Sequence, residues 1–176
     1  QCTDGVQCEA DLAEVMAMGF AGCGGGSKTD ELFIGGIGPL TGESATYGTA
    51  VRNGAMLAVN EINAAGGING FKIRFEFEDD AASPDQAVSA YNALMDKGMQ
   101  ILMGTVTSGA CIAVVEQTKD DNVFQLTPSA SAVEAIKHDN AFRVCFNDPN
   151  QGIGVADYIK ENNLASKIGI IYNASD

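Results

Sequence analysis

The segment "FKIRFEFED" alternates without a break: Phe71, Ile73, Phe75 and Phe77 fall on one face, and Lys72, Arg74, Glu76 and Glu78 on the other. A period of two predicts a strand with one wet face, near the edge of a sheet. Just before it the period changes. Val51, Ala55, Ala58, Val59 and Ile62 recur at helical spacing, which predicts a helix over roughly Tyr47–Ala65, stopped by Gly66-Gly67. Before that, "ELFIGGIGPL" (31–40) is a short apolar run closed by Gly and Pro, the pattern of a buried strand.

The alternation continues along the chain. In "SPDQAVSAYNALMDKG" (83–98), Ser83 is placed as N-cap, Pro84 at the first helical position and Gln86 at the capping-box position, with Ala87, Tyr91 and Leu94 as the buried stripe. "QILMGTV" (100–106) reads as a strand, "SGACIAVVEQTKDDN" as a helix, and "VFQLTPSA" (123–130) and "FRVCFN" (142–147) as strands. "NQGIGVADYIKENN" reads as a helix and "KIGIIYN" (167–173) as a sixth strand. Strands alternating with helices predict an α/β fold, a doubly wound parallel sheet covered on both faces. In such sheets ligands sit beyond the carboxyl ends of the strands, at the switch point of the winding. The loops at 38–48, 105–109, 127–133 and 147–151 lie there, and the first three are rich in hydroxyls and small residues.

Composition narrows the function classes. With 10 basic and 23 acidic residues the formal charge is −13, which repels nucleic acid phosphates; no nucleic acid partner is expected. The 5 cysteines form no CxxC and there is 1 histidine, so spacing assembles no zinc site and no metal is expected. Cys111 and Cys145 sit in apolar surroundings as small core residues, and His138, beside Lys137 and Asp139, reads as part of a solvated turn.

The first thirty residues differ from the rest. "VMAMGFAGCGGGSK" is an apolar run ending in small residues, then Cys23, then a Gly/Ser spacer suited to a tether. "FAGC" resembles the lipobox of bacterial lipoproteins, whose cysteine is lipidated and anchors the chain to the membrane. The upstream part departs from a signal peptide. No Lys or Arg precedes Lys28, and Asp11 and Glu14 stand where apolar residues belong. The run Val15–Gly22 is too short to span a bilayer.

The glycine-rich loop after the first strand is not a nucleotide cradle. Gly36, Gly38 and Gly42 do not give G-x-G-x-x-G, and Pro39 removes an N–H where a phosphate would want one. No cofactor is expected. "GTVTSGA" leaves a strand and enters a helix, so Ser108 either caps that helix or, with its free N–H groups, faces an anion such as a carboxylate. "LTPSASAVE" repeats the device one strand later with Thr127, Ser129 and Ser131. Two adjacent strand ends of this kind suit a small zwitterion.

The segments "IGGIGPLTGESATYGTAVRNGAMLAVNEINAAGGINGFKI", "EDDAASPDQAV", "MGTVTSGA", "TPSASAVE" and "FRVCFNDPNQG", in this order, resemble the leucine/isoleucine/valine-binding family of type I periplasmic binding proteins, the substrate-binding proteins of bacterial ABC importers. The resemblance covers about residues 31–176. It implies two Rossmann-like lobes joined by crossover strands and closing on the ligand like a hinge. It divides the chain into a leader (1–30), the N-terminal ligand-binding lobe (31–146) and a crossover with the start of a second lobe (147–176), making the chain a fragment of a two-lobe protein. It implies that Ser108 holds a ligand carboxylate, with Val106 and Thr107 beside it. Ala130 through its carbonyl and Ser131 through its hydroxyl hold an ammonium, Tyr47 lines the pocket, and Asp148 stands where the chain leaves the lobe. The partners implied are a small amino acid (leucine, isoleucine, valine or similar), an ABC permease and, through Cys23, the membrane, all outside the cytoplasm.

Two departures stand out. Serine replaces the family's frequent threonine at Ser131 and keeps the hydroxyl. The family's occasional disulfide cannot form, since Ala82 or Ser83 and Thr107 hold its positions. Two other classes are compatible with parts of this pattern. A receptor's ligand domain for amides or amino acids would share the fold. An enzyme would need a nucleophile with a base, but Ser108 is in no G-x-S-x-G elbow and His138 is the sole imidazole.

Overall fold

The computed structural model describes residues 31–171. The leader with Cys2, Cys8 and the lipobox-like Cys23 lies outside the described residues, as do the last positions of the expected sixth strand. Five strands, β1 (Glu31–Gly38), β2 (Lys72–Asp79), β3 (Ile101–Gly104), β4 (Phe124–Thr127) and β5 (Ala141–Arg143), form one parallel sheet in the order β2-β1-β3-β4-β5. Four helices accompany them: α1 (Ala45–Ala64), α2 (Pro84–Asp96), α3 (Ser108–Asp120) and α4 (Asp148–Glu161). A short 3-10 turn spans Val133–Ile136. The predicted edge strand is indeed the edge: β2 pairs only with β1.

From β1 the chain winds first to β2 and then back past β1 to β3. Right-handed crossovers therefore put α1 on one face and α2 and α3 on the other. On the α2/α3 face, Phe33, Ile37, Tyr91, Leu94, Leu102, Ala110 and Val114 form the main core. Ser83 caps α2 as expected, its Oγ accepting from Gln86 N at 3.5 Å. The charged face of β2 is tied down rather than free: Lys97 Nζ bonds Glu76 (3.0 Å) and Glu78 (2.7 Å), and the Arg74 guanidinium lies 4.1 Å from the centre of the Phe33 ring.

Coverage of the other face is incomplete, against expectation. α1 covers β1 and β2, and its predicted stripe of Val51, Ala55, Val59 and Ile62 is only half-buried, while Ala58 is exposed. Nothing among the described residues covers the same face of β3–β5. There the rings of Phe124 and Phe142 stack at 5.3 Å and remain 44% and 48% exposed.

The sixth strand does not form over 167–171. A strand exists only where a neighbour takes up its N–H and C=O groups, and these residues have no such neighbour among the described residues. α4, which leads to them, buries none of its residues. Two minor expectations also shift. Cys111 is fully buried, but Cys145 is half-buried. His138 is not a free turn residue: its Nε2 lies 3.1 Å from Glu116 Oε2, while Lys137 pairs with Oε1 of the same carboxylate.

Candidate functional site

The winding reverses between β1 and β3, so the carboxyl ends of β1, β3 and β4 frame the crevice. Each loop leaving a strand there is held by side chains from its neighbours. At β1, the Asp79 carboxylate accepts from Leu40 N (2.7 Å), Ala81 N (2.8 Å) and Thr41 Oγ1 (2.6 Å). Burial alone would raise its pKa, but these bonds outweigh it and hold the carboxyl below its ordinary value.

Gly48 is the one buried residue of α1, and it sets the helix against the β1 exit. A Cβ there would stand 1.9 Å from the carbonyl oxygen of Pro39. Tyr47 precedes it on the first turn, 67% exposed, at the same end of the sheet as the loops after β3 and β4.

β3 and β4 are laced together beyond their last pairs. Thr127 Oγ1 donates to Thr105 O (2.6 Å) and accepts from Ala130 N (3.0 Å). Ser129 Oγ donates to Val106 O (2.7 Å). Beneath them, buried Gln125 donates from Nε2 to Gly104 O (3.0 Å), and its Oε1 accepts from Thr118 Oγ1 (2.7 Å). Gly104 has φ +147°, and a Cβ there would meet Ile37 O at 2.6 Å, so only glycine fits this exit.

The capping reading of Ser108 is overturned. Thr107 is the N-cap residue and makes no cap bond with its side chain; Ser108 is the first helical residue. Its Oγ instead accepts from the backbone N–H of Ala132 at 3.2 Å, across the gap between the two loops. A hydroxyl whose acceptor side is occupied keeps its O–H to give away. It sits at a helix N-terminus, where the free N–H groups and the helix dipole favour negative charge. Thr107 Oγ1 is buried with no partner among the described residues.

The structure thus brings Val106, Thr107, Ser108, Ala130 and Ser131 together. Val106 is only 3% exposed and packs over Gly38, and Ala130 is fully buried. Asp148 joins through its backbone, its N–H donating to Ser131 O at 3.1 Å, while its side chain is exposed at the start of α4. Sequence reading missed Gln125 and Arg143, and it named Thr127 only as one of the loop hydroxyls. Their signal was phase: Gln125 and Thr127 are polar residues spaced two apart in a buried strand, opposite in phase to Phe124 and Leu126.

An acid without a full set of partners lies at the β2 exit. Asp80 is fully buried; its Oδ1 accepts from Ala82 N (2.8 Å), and its Oδ2 has no partner among the described residues. Burial pushes its pKa above the ordinary 3.8. The folded state therefore holds this proton more tightly than the unfolded chain does. Its stabilising effect is complete below the unfolded value and is lost as pH rises through the folded value. Relative to Asp80→Asn, the wild-type protein is expected to gain melting temperature as the pH falls from neutrality into the carboxylate range. A difference that does not change with pH would contradict this.

No catalytic pair is assembled here. His138 is paired with Glu116, eight residues along α3 from Ser108 and so about 12 Å away along the helix axis. Among the described residues no group of three or more His, Cys, Asp or Glu could hold a metal ion.

Comparison with known proteins agrees with the fold. The family described as periplasmic binding protein matches residues 31–176. Leu/Ile/Val-binding protein homolog 3 of Brucella melitensis is 36% identical over 93% of the chain, and Leu/Ile/Val-binding protein BraC3 of Rhizobium johnstonii is 40% identical over 80%. The chain spans 44% and 39% of these relatives' own lengths. Among solved structures, the branched-chain amino acid transporter substrate-binding protein LivJ of Streptococcus pneumoniae, in complex with isoleucine, superposes with a TM-score of 0.70 at 35% identity. That match covers 74% of this chain and 38% of the other. The family is one of binding proteins rather than enzymes, and by sequence and by fold the chain belongs to it, the periplasmic binding protein family.

Proposed function

We propose that the chain forms the first lobe of a two-lobe extracytoplasmic protein that binds a branched-chain or similar small amino acid and delivers it to an ABC importer. The observation that carries this reading is the Ser108 hydroxyl, its oxygen engaged by Ala132 N–H and its proton available at the head of α3. In this reading Ser108 and the first N–H groups of α3 take the carboxylate. The Ala130 carbonyl and the Ser131 hydroxyl take the ammonium, with Tyr47, Val106, Thr107 and Asp148 around them. The names of the relatives support the ligand class. The division at about residue 147 is supported by α4 and the segment after it. They expose Ile153, Tyr158, Leu164, Ile168 and Ile171, apolar residues that a second lobe would cover. Among the described residues no helix is long and apolar enough to cross a membrane; in this reading Cys23 carries a lipid anchor.

Ser108→Ala in the two-lobe protein is expected to weaken leucine binding by about 1.5–3 kcal/mol, the range for a hydrogen bond to a charged group. Its melting temperature should fall only modestly, since the one internal bond lost, from Ala132 N–H, is part-buried and worth about 1 kcal/mol. The check is calorimetric titration beside thermal unfolding. Wild-type affinity in a folded Ser108→Ala protein would remove Ser108 from the site.

A further inference from the structure

Three consecutive carbonyls of the loop after β4 converge on one guanidinium nitrogen. Arg143, the last residue of β5, directs Nη1 at Ala132 O (2.8 Å), Ser131 O (2.9 Å) and Ala130 O (3.4 Å). This nitrogen carries two hydrogens, so the two short bonds use both, and the contact to Ala130 is the weak, shared one. The oxygen of Ala130 keeps capacity for another donor. Those of Ser131 and Ala132 are committed to the arginine.

That commitment has a consequence one bond further on. In a trans peptide the C=O and the following N–H point in opposite directions. With Ser131 C=O turned to Arg143, the Ala132 N–H of the same peptide is turned away from it, and it is this N–H that donates to Ser108 Oγ at 3.2 Å. A polarised series results, running from guanidinium to peptide to hydroxyl, with the hydroxyl proton at its free end. The Asp148 N–H adds a second donor to the same Ser131 carbonyl at 3.1 Å, so the peptide is gripped at the point where α4 begins.

We infer that Arg143 is a positioning residue for ligand binding: by holding the Ser131–Ala132 peptide it keeps the oxygen of Ser108 engaged and the Ser108 hydroxyl proton aimed at the ligand's carboxylate. The inference rests on the amino acid reading above and deepens it. It makes carboxylate recognition at α3 depend on a cation two strands away in the sheet, which itself need not touch the ligand.

A double-mutant cycle in the two-lobe protein tests it, with leucine binding measured by titration for wild type, Arg143→Met, Ser108→Ala and the double variant. Arg143→Met is expected to weaken binding about tenfold in the wild-type background and by less than about threefold where Ser108 is already alanine, the non-additivity of groups acting in series. If Arg143→Met does not fold, Arg143→Lys serves in the same cycle; its ammonium can reach one or two of the carbonyls but not grip them as a fork does. Equal losses in both backgrounds, or no loss in either, would overturn the inference while leaving the amino acid reading intact. Failure of the wild-type protein to bind leucine or any other amino acid would instead remove that reading.

Discussion

The 176-residue chain, prepared by itself, is expected to bind leucine at least about 100-fold more weakly than the two-lobe protein, a loss of about 2.7 kcal/mol or more. The crevice at the ends of β1, β3 and β4 is one-sided. In the proposed site Ser108, Ala130 and Ser131 would meet the charged end of a ligand, but among the described residues nothing opposite them excludes water from its side chain. In the proposed two-lobe protein, closure of the second lobe would supply those contacts and raise the strength of every polar bond already made. The same chain is expected to self-associate. Phe124 and Phe142 stack on an uncovered sheet face, and Ile168, Ile170 and Ile171 are 63%, 83% and 102% exposed. Sedimentation and titration of the chain beside the two-lobe protein decide the matter. A monodisperse monomer with undiminished affinity would contradict the half-site reading and the division at residue 147 together.

Gly48→Ala is expected to cost about 3 kcal/mol or more in stability, at the upper end of what overpacking produces. The added methyl would stand 1.9 Å from Pro39 O and 2.6 Å from Pro39 C, both backbone atoms that no rotamer change can move aside. Either the β1 exit or the whole of α1 must shift. α1 buries no other residue, so little else holds its first turn in register. Tyr47 stands on that turn, and leucine affinity should fall with stability. Thermal unfolding and titration of the same sample check both effects. A Gly48→Ala protein as stable as wild type would show that α1 is not seated by this contact.

How much of this was legible in the sequence depended on how local the determining physics was. The alternation in β2 announced an edge strand because edge exposure writes itself as a period of two. The Ser83–Pro84 start of α2 was readable because its cap closes within four residues. The winding rule alone puts the loops of the proposed site at this end of the sheet, and their small hydroxyl residues stand out there. What those hydroxyls do was less visible. Ser108 looks like a cap from its position before an apolar helix, yet its partner is Ala132, 24 residues on, which no local pattern records. Arg143 reads as a surface cation in a short strand until the loop it holds is folded around it. The strand expected at 167–173 had the right composition, but strand formation is a property of pairs, and the residues described there have no neighbour. The uncovered face of β3–β5 was equally unreadable, since a parallel sheet's sequence shows that both faces are apolar and not which segment covers each.

The central claim is that the two loops after β3 and β4 form half of an amino acid site. Calorimetric titration of the two-lobe protein against individual L-amino acids tests it most directly. The account predicts saturable binding of leucine, isoleucine or valine at one site per chain, weakened in Ser108→Ala. Absence of binding to every amino acid tried, by a protein shown to be folded, would contradict it.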